Sequence, residues 1–68
     1  MIANDKELET TFERIEWFQA QVAHLRRTEG NPVNYHAATS GFLAEIDRMQ
    51  LEVREYFSLH PTELAGAV

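Results

Sequence analysis

The sequence predicts an all-α fold, an antiparallel two-helix hairpin with coiled-coil-like packing. Two long apolar stripes recur with alternating spacings of three and four residues, which is typical of packed helices. One cluster of helix-breaking residues separates the stripes, and neither flanking stretch alternates as a strand does. All 68 residues are therefore assigned to a single helical hairpin. We expect one helix over about 5–29, a loop over 30–34, a second helix over about 35–59 and a C-terminal tail over 60–68.

The first helix is predicted from its cap and its stripe. Asn4 and Asp5 are candidate N-caps, and acidic residues in the first turn complement the helix dipole. Phe12 widens the stripe, and Gly30 is expected to end the helix in a left-handed conformation. The stripe residues are Leu8, Thr11, Ile15, Phe18, Val22 and Leu25.

The second helix is predicted to begin after Asn34, a good N-cap. Leu43 and Phe57 lie beside its stripe and widen the apolar face. Gly41 lies inside the segment, and the sequence leaves open whether the helix is continuous through it. Pro61 is expected to stop the helix. The stripe residues are Tyr35, Thr39, Phe42, Ile46, Met49, Val53, Tyr56 and His60.

Composition narrows the classes of partner. Six Lys and Arg residues stand against eleven Asp and Glu residues, giving a formal charge of −5. Nucleic-acid binding needs clustered cations, so we expect no nucleic-acid partner. No apolar run reaches the length of a membrane span, and the chain contains no cysteine. These features predict a cytoplasmic protein that makes no membrane contact.

The chemistry-bearing residues follow no catalytic or metal-binding pattern. His24, His36 and His60 have none of the spacings that place two metal ligands on one helix face. The glutamates are expected to form a solvated face, and no serine lies in a nucleophile motif. The sequence therefore predicts no catalytic residue, no metal ligand and no cofactor, and the chain is not expected to be an enzyme.

Two apolar side chains do not fit the core of a single hairpin. Trp17 and Leu51 point away from the stripes at roughly 100° per residue. Because exposed tryptophan is enriched at binding hot spots, the two are candidates for a second interface. The alternative is that Trp17 lies flat over its own helix, against Arg14 and Gln21.

Small size favours association. A chain of this length buries too little surface to be more than marginally stable, and without cysteine it has no disulfide staple. Phe12, Leu43 and Phe57 would stay partly exposed in a monomer. We therefore expect a homodimer that forms a four-helix bundle, with the two widened stripes as its core and Trp17 at or beside its interface. The alternative is that Phe12, Leu43 and Phe57 alone close the bundle and leave Trp17 and Leu51 for a second partner.

Two segments of the sequence carry a resemblance to a known family. The first seven residues with Thr11, Ile15 and Phe18, together with residues 44–53 and Tyr56, resemble the helical hairpin that precedes the helix-turn-helix in some Xre-type antitoxins. Similar segments occur as short bacterial proteins. The resemblance implies a hairpin that binds a protein partner such as a toxin.

Three hypotheses of function follow from these observations. The first is a non-catalytic interaction or oligomerisation module that binds itself or another helical protein. The second is an antitoxin-like or regulatory protein that binds a toxin or an enzyme. The third is an enzyme or metal protein assembled only in the oligomer, where carboxylates of different chains would meet.

Overall fold

The computed structural model describes residues 1–66, with side chains up to residue 63, and folds into three helices. Helix α1 spans Asp5–Thr28, α2 spans Pro32–Phe57 and α3 spans Pro61–Gly66. The two long helices pack antiparallel, and the chain measures 51 × 16 × 13 Å. The prediction of an all-α helical hairpin is confirmed. Dimerisation into a four-helix bundle stays a prediction.

Helix α1 begins directly after Asn4, one of the two predicted N-caps. Asn4 is the N-cap, and its side-chain oxygen accepts a hydrogen bond of 2.9 Å from the Glu7 backbone N–H. The Glu7 carboxylate in turn accepts a bond of 2.7 Å from the Ala3 backbone N–H. The first bond satisfies a backbone donor that the first turn leaves without a helical partner, and the second satisfies the N–H of a residue that precedes the helix. Asp5, the other candidate cap, instead accepts a hydrogen bond from Tyr56.

The connection between the helices differs from the prediction in two ways. Helix α2 begins at Pro32 rather than at about residue 35, and Asn31 is its N-cap in place of Asn34. The Asn31 side chain accepts from the Val33 and Asn34 backbone N–H groups, at 2.9 and 3.5 Å. Proline is favoured at the first helical position because its fixed φ suits a helix and its missing N–H would be unpaired there. Pro32 therefore starts α2 and does not belong to the loop.

Gly30 does not adopt the expected left-handed backbone conformation. No glycine in the described part of the chain has a positive φ. Helix α1 ends instead through Glu29, an extended residue (φ −96°, ψ 110°) whose N–H donates to the Leu25 carbonyl at 2.8 Å. A short extended connection over 29–31 thus replaces the predicted loop over 30–34. The open question at Gly41 is answered as well, since α2 is continuous through it.

The end of α2 also differs from the prediction. The helix ends at Phe57, and the Ser58 N–H caps it by donating to carbonyls of the last turn. Pro61 then begins α3, which was not predicted within the tail. His60, predicted to end the second stripe, lies outside α2 and is exposed. Its ring nitrogen Nδ1 accepts from the Thr62 backbone N–H at 3.2 Å, so this side chain caps the short helix. Residues 67 and 68 of the predicted tail lie outside the described residues.

The core is thin and lies between the two stripes. All the stripe residues of α1 are half-buried, whereas Thr39, Ile46 and Met49 of α2 are fully buried. The Thr39 hydroxyl donates to the Tyr35 carbonyl at 2.8 Å, so its buried oxygen is satisfied. Ile2, only 6% exposed, packs over the open end of the hairpin and was not predicted as a core residue.

Candidate interaction surfaces

Position relative to the stripes decides which side of the hairpin an exposed residue occupies. A residue that follows a stripe residue points about 100° to one side of it, and a residue that precedes one points to the other. In an antiparallel pair of facing helices, the following residues of both helices share one side. The preceding residues share the opposite side. The hairpin therefore has two long sides with different side chains.

Three large apolar side chains lie on the side of the following residues. Phe12, Leu43 and Phe57 come directly after Thr11, Phe42 and Tyr56, and each is exposed, Phe57 to 61%. The rings of Phe12 and Phe57 contact each other across the two helices, with centroids 6.3 Å apart. We call this surface the apolar side. Its three members were predicted to flank the stripes, and the structure brings two of them into contact.

Ion pairs occupy the opposite side, which we call the polar side and define by Arg14, Glu45, Arg48 and Glu52. The Arg48 guanidinium contacts the Glu45 carboxylate at 2.6 Å and the Glu52 carboxylate at 3.0 Å. The α-amino group of Met1 lies 3.5 Å from the same Glu52 oxygen. The Arg48 hydrogen bond, followed by the Arg48 charge, lowers the pKa of Glu45, and Arg14 adds a smaller effect across the helices. Charged groups on this side are therefore largely paired within the chain.

Trp17 lies on the polar side, because it precedes the stripe residue Phe18. Its ring packs edge-on against Phe18 at 5.2 Å and against Phe42 of α2 at 6.3 Å between centroids. The ring thus reaches across to the second helix and does not lie only over its own, as the alternative interpretation had it. It is nevertheless 56% exposed. This aromatic cluster was not predicted from the sequence.

Leu51, the other candidate for a second interface, lies apart from Trp17. It stands two residues from the nearest stripe residues, Met49 and Val53, and therefore points directly away from α1. The side chain is 55% exposed. Because Leu51 projects from the back of α2 and Trp17 from the polar side of α1, the two side chains do not form one patch.

The open end of the hairpin is tied by a polar contact. The Tyr56 hydroxyl donates to the Asp5 carboxylate at 2.7 Å, which joins the last turn of α2 to the first residue of α1. That hydrogen bond is the main reason why the pKa of Tyr56 is raised, because ionisation would break it. A groove of about 490 Å³ beside this contact is lined by Asp5, Tyr56, His60 and Glu63, among others.

The remaining ionisable side chains do not converge on a ligand. Within the described residues, no three His, Cys, Asp or Glu side chains are grouped so that they could hold a metal ion. His24 and His36 are exposed, and the His36 ring lies against Tyr35 with centroids 5.5 Å apart. No helix in the part of the chain that the structure describes is both long and apolar enough to cross a membrane.

Comparison with known proteins found no match for this chain among protein-family models, curated proteins or solved structures. The resemblance to the hairpin of Xre-type antitoxins therefore stays a prediction. The surfaces described above are the observations from which a function can be proposed.

Proposed function

We propose that this chain is a non-catalytic helical interaction module that assembles with a second copy of itself through the apolar side. The observation that carries the proposal is the exposure of Phe12, Leu43 and Phe57 on one side of the hairpin. Burial of large apolar side chains drives most protein association. Two-fold self-association brings such a patch against its own copy, and two stacked hairpins form a four-helix bundle.

The shape of the single chain supports the proposal. Its radius of gyration is 15.6 Å, whereas a compact domain of this length has about 11 Å. Its accessible surface is 5315 Å², whereas a compact monomer of this mass exposes about 4,400 Å². The difference of about 900 Å² is close to the roughly 800 Å² that each partner buries in a standard interface. A second copy would supply the compactness that one hairpin lacks.

Sedimentation at micromolar concentration tests the association. We expect a species of about twice the 7.8 kDa chain mass. Leu43→Glu should give a 7.8 kDa monomer, because it places a charge in the centre of the proposed interface. The matched control is Leu51→Glu, which makes the same change on the same helix at a side chain that is 55% exposed, compared with 44% for Leu43. The control should remain dimeric.

Circular dichroism of both variants separates dissociation from unfolding. Leu43→Glu should keep its helical signal at the concentration at which it is monomeric. A wild-type chain that sediments as a monomer would refute the proposal. Equal dimerisation of the two variants would show that the apolar side is not the interface.

Trp17 favours a second candidate role, in which the module also binds a toxin or an enzyme as antitoxin-like and regulatory proteins do. Its ring is 56% exposed on the side opposite to the proposed dimer interface, so dimerisation would leave it open. Tryptophan is enriched among residues that dominate binding energy. Red-shifted, easily quenched Trp17 fluorescence in the dimer would support this role, and a blue-shifted, protected emission would contradict it.

A further inference from the structure

We infer that the two copies associate with their loops at the same end, so that α1 of each copy lies over α2 of the other. This inference rests on the proposed dimer and specifies its geometry. Two stacked hairpins related by a two-fold axis have two full-overlap arrangements. The axis runs either along the helices, with the loops together, or across them, with the loops at opposite ends.

Apolar contacts favour the arrangement with the loops together. The rings of Phe12 and Phe57 lie at nearly the same level along the hairpin, since their centroids are 6.3 Å apart. With the loops together, residues at one level of one copy meet residues at the same level of the other. The two Phe12 rings and the two Phe57 rings then form one aromatic cluster. With the loops at opposite ends, Phe12 would instead lie over the level of Ala23, and Leu43 over that of Asp47.

Charge complementarity points to the same arrangement. Arg54 and Glu9 follow the stripe residues Val53 and Leu8, so both lie on the apolar side, and both are exposed. The structure gives neither of them a salt bridge within the described residues. With the loops together, Arg54 faces the level of Glu9 on the second copy, because Asp5 and Tyr56 lie side by side at the open end, and this suits an ion pair at the rim. In the opposite arrangement Arg54 would face the level of His36.

Disulfide cross-linking distinguishes the two arrangements. Because the sequence contains no cysteine, only the introduced cysteines can form disulfides. Gln19 and Ser40 follow Phe18 and Thr39, so both lie on the apolar side, both are exposed, and they lie at nearly the same level because the rings of Phe18 and Phe42 are in contact. Chains carrying Gln19→Cys are mixed with isotopically labelled chains carrying Ser40→Cys, refolded together and oxidised gently. Mass spectrometry then separates mixed pairs from like pairs. Disulfides form only between residues whose Cα atoms lie within about 7 Å.

We expect mixed pairs of Gln19→Cys with Ser40→Cys to dominate, because α1 lies over α2 of the second copy. Like pairs of Gln19→Cys would show that α1 lies over α1, and would overturn the inference. A dimer that forms neither pair would overturn it as well. Replacing Ser40→Cys by Ala37→Cys, which stands two residues from Tyr35 and Thr39 and so points away from α1, should abolish the mixed product.

The sedimentation experiment keeps this inference separate from the proposed function. If the wild-type chain is monomeric, both fail. If it is dimeric and the mixed pairs are absent, only the arrangement fails. Charge reversal provides a second measurement. Arg54→Glu should weaken dimerisation, and adding Glu9→Arg to the same chain should restore it. Failure of the double variant to restore the dimer would contradict the ion pair.

Discussion

Arg48 on the polar side pairs with two carboxylates of its own helix, whereas Phe57 on the apolar side contacts Phe12 and still leaves more than half of its surface exposed. The two sides are built from the same helices and the same stripes. The exposed groups of the two sides nevertheless differ in how far contacts within the single chain satisfy them. The polar side pairs Glu45, Arg48 and Glu52 within one chain, while the apolar side exposes three large apolar side chains that only another molecule can cover. We therefore expect substitutions on the polar side to change the stability of the hairpin, and substitutions on the apolar side to change its dimerisation.

The largest effect is expected from a charge placed in the core on which both sides depend. Ile46 is 7% exposed, and Ile46→Asp would bury an unpaired carboxylate. A core of this size supplies only about 3–5 kcal/mol, so the substitution should unfold the chain. Circular dichroism should show the loss of most of the helical signal. The control is Ala44→Asp, which is exposed and should remain folded. Wild-type helicity and Tm in Ile46→Asp would mean that the stripes do not form the core.

The stripes could be predicted because burial along a helix follows a local period. Spacings of three and four residues place side chains on one face wherever the helix begins or ends. Thr39 shows the strength of the pattern, since it is polar by type and yet among the most buried side chains. The two sides could have been derived in the same way, because they depend only on which residues precede or follow a stripe residue.

The helix boundaries were harder to predict because one residue type can serve two purposes. Pro32 falls within the predicted loop over 30–34 because proline breaks helix interiors, but at the first position of a helix it is favoured. Asn31 and Asn34 are equally good caps by type, and only the position of the proline distinguishes them. Gly30 matched a common helix ending that the extended Glu29 replaces.

Contacts between distant segments left no signal in the sequence pattern. Ile2 precedes the N-cap of α1 and is buried because the N-terminal residues fold back over the end of α2. Trp17 points away from its stripe by angle, yet its long side chain reaches Phe42 on the other helix. Both outcomes depend on how the helices are placed in three dimensions.

A smaller effect, of opposite sign, is expected from Gly41 on the polar side. An added Cβ atom there would meet no other atom within 4 Å, and the residue lies inside a continuous helix. Gly41→Ala should stabilise the hairpin by about 0.5–1 kcal/mol, because alanine loses less backbone entropy in a helix. Thermal unfolding should show a raised Tm, with the dimer dissociation constant measured on folded chains unchanged. Ala38→Gly, also exposed on this side, should lower the Tm by a similar amount. If Gly41→Ala changed the dissociation constant of the dimer, the polar side would also contribute to dimerisation, and the two sides would not have separate roles.

The smallest effect is expected from the ion pairs of the polar side. Arg48→Met keeps most of the length of the side chain and removes its contacts to Glu45 and Glu52. The Tm should fall slightly at neutral pH, since exposed ion pairs contribute little. Arg48 lowers the pKa of Glu45 in the folded chain. The stabilisation is therefore complete above the ordinary pKa of glutamate, about 4.3, and is lost as the pH falls through the lowered value.

The difference in Tm between the wild type and Arg48→Met should accordingly narrow in acid and at high salt. Dimerisation should be unaffected, because Arg48 faces away from the apolar side. Arg54→Met is the matched control. It removes the same charge from the same helix on the apolar side, and it should weaken the dimer instead. A difference in Tm that persists in acid would show that Arg48 stabilises the hairpin by packing and not by charge. An Arg48→Met variant that dissociates would place the polar side within the interface, and the two sides would then no longer have separate roles.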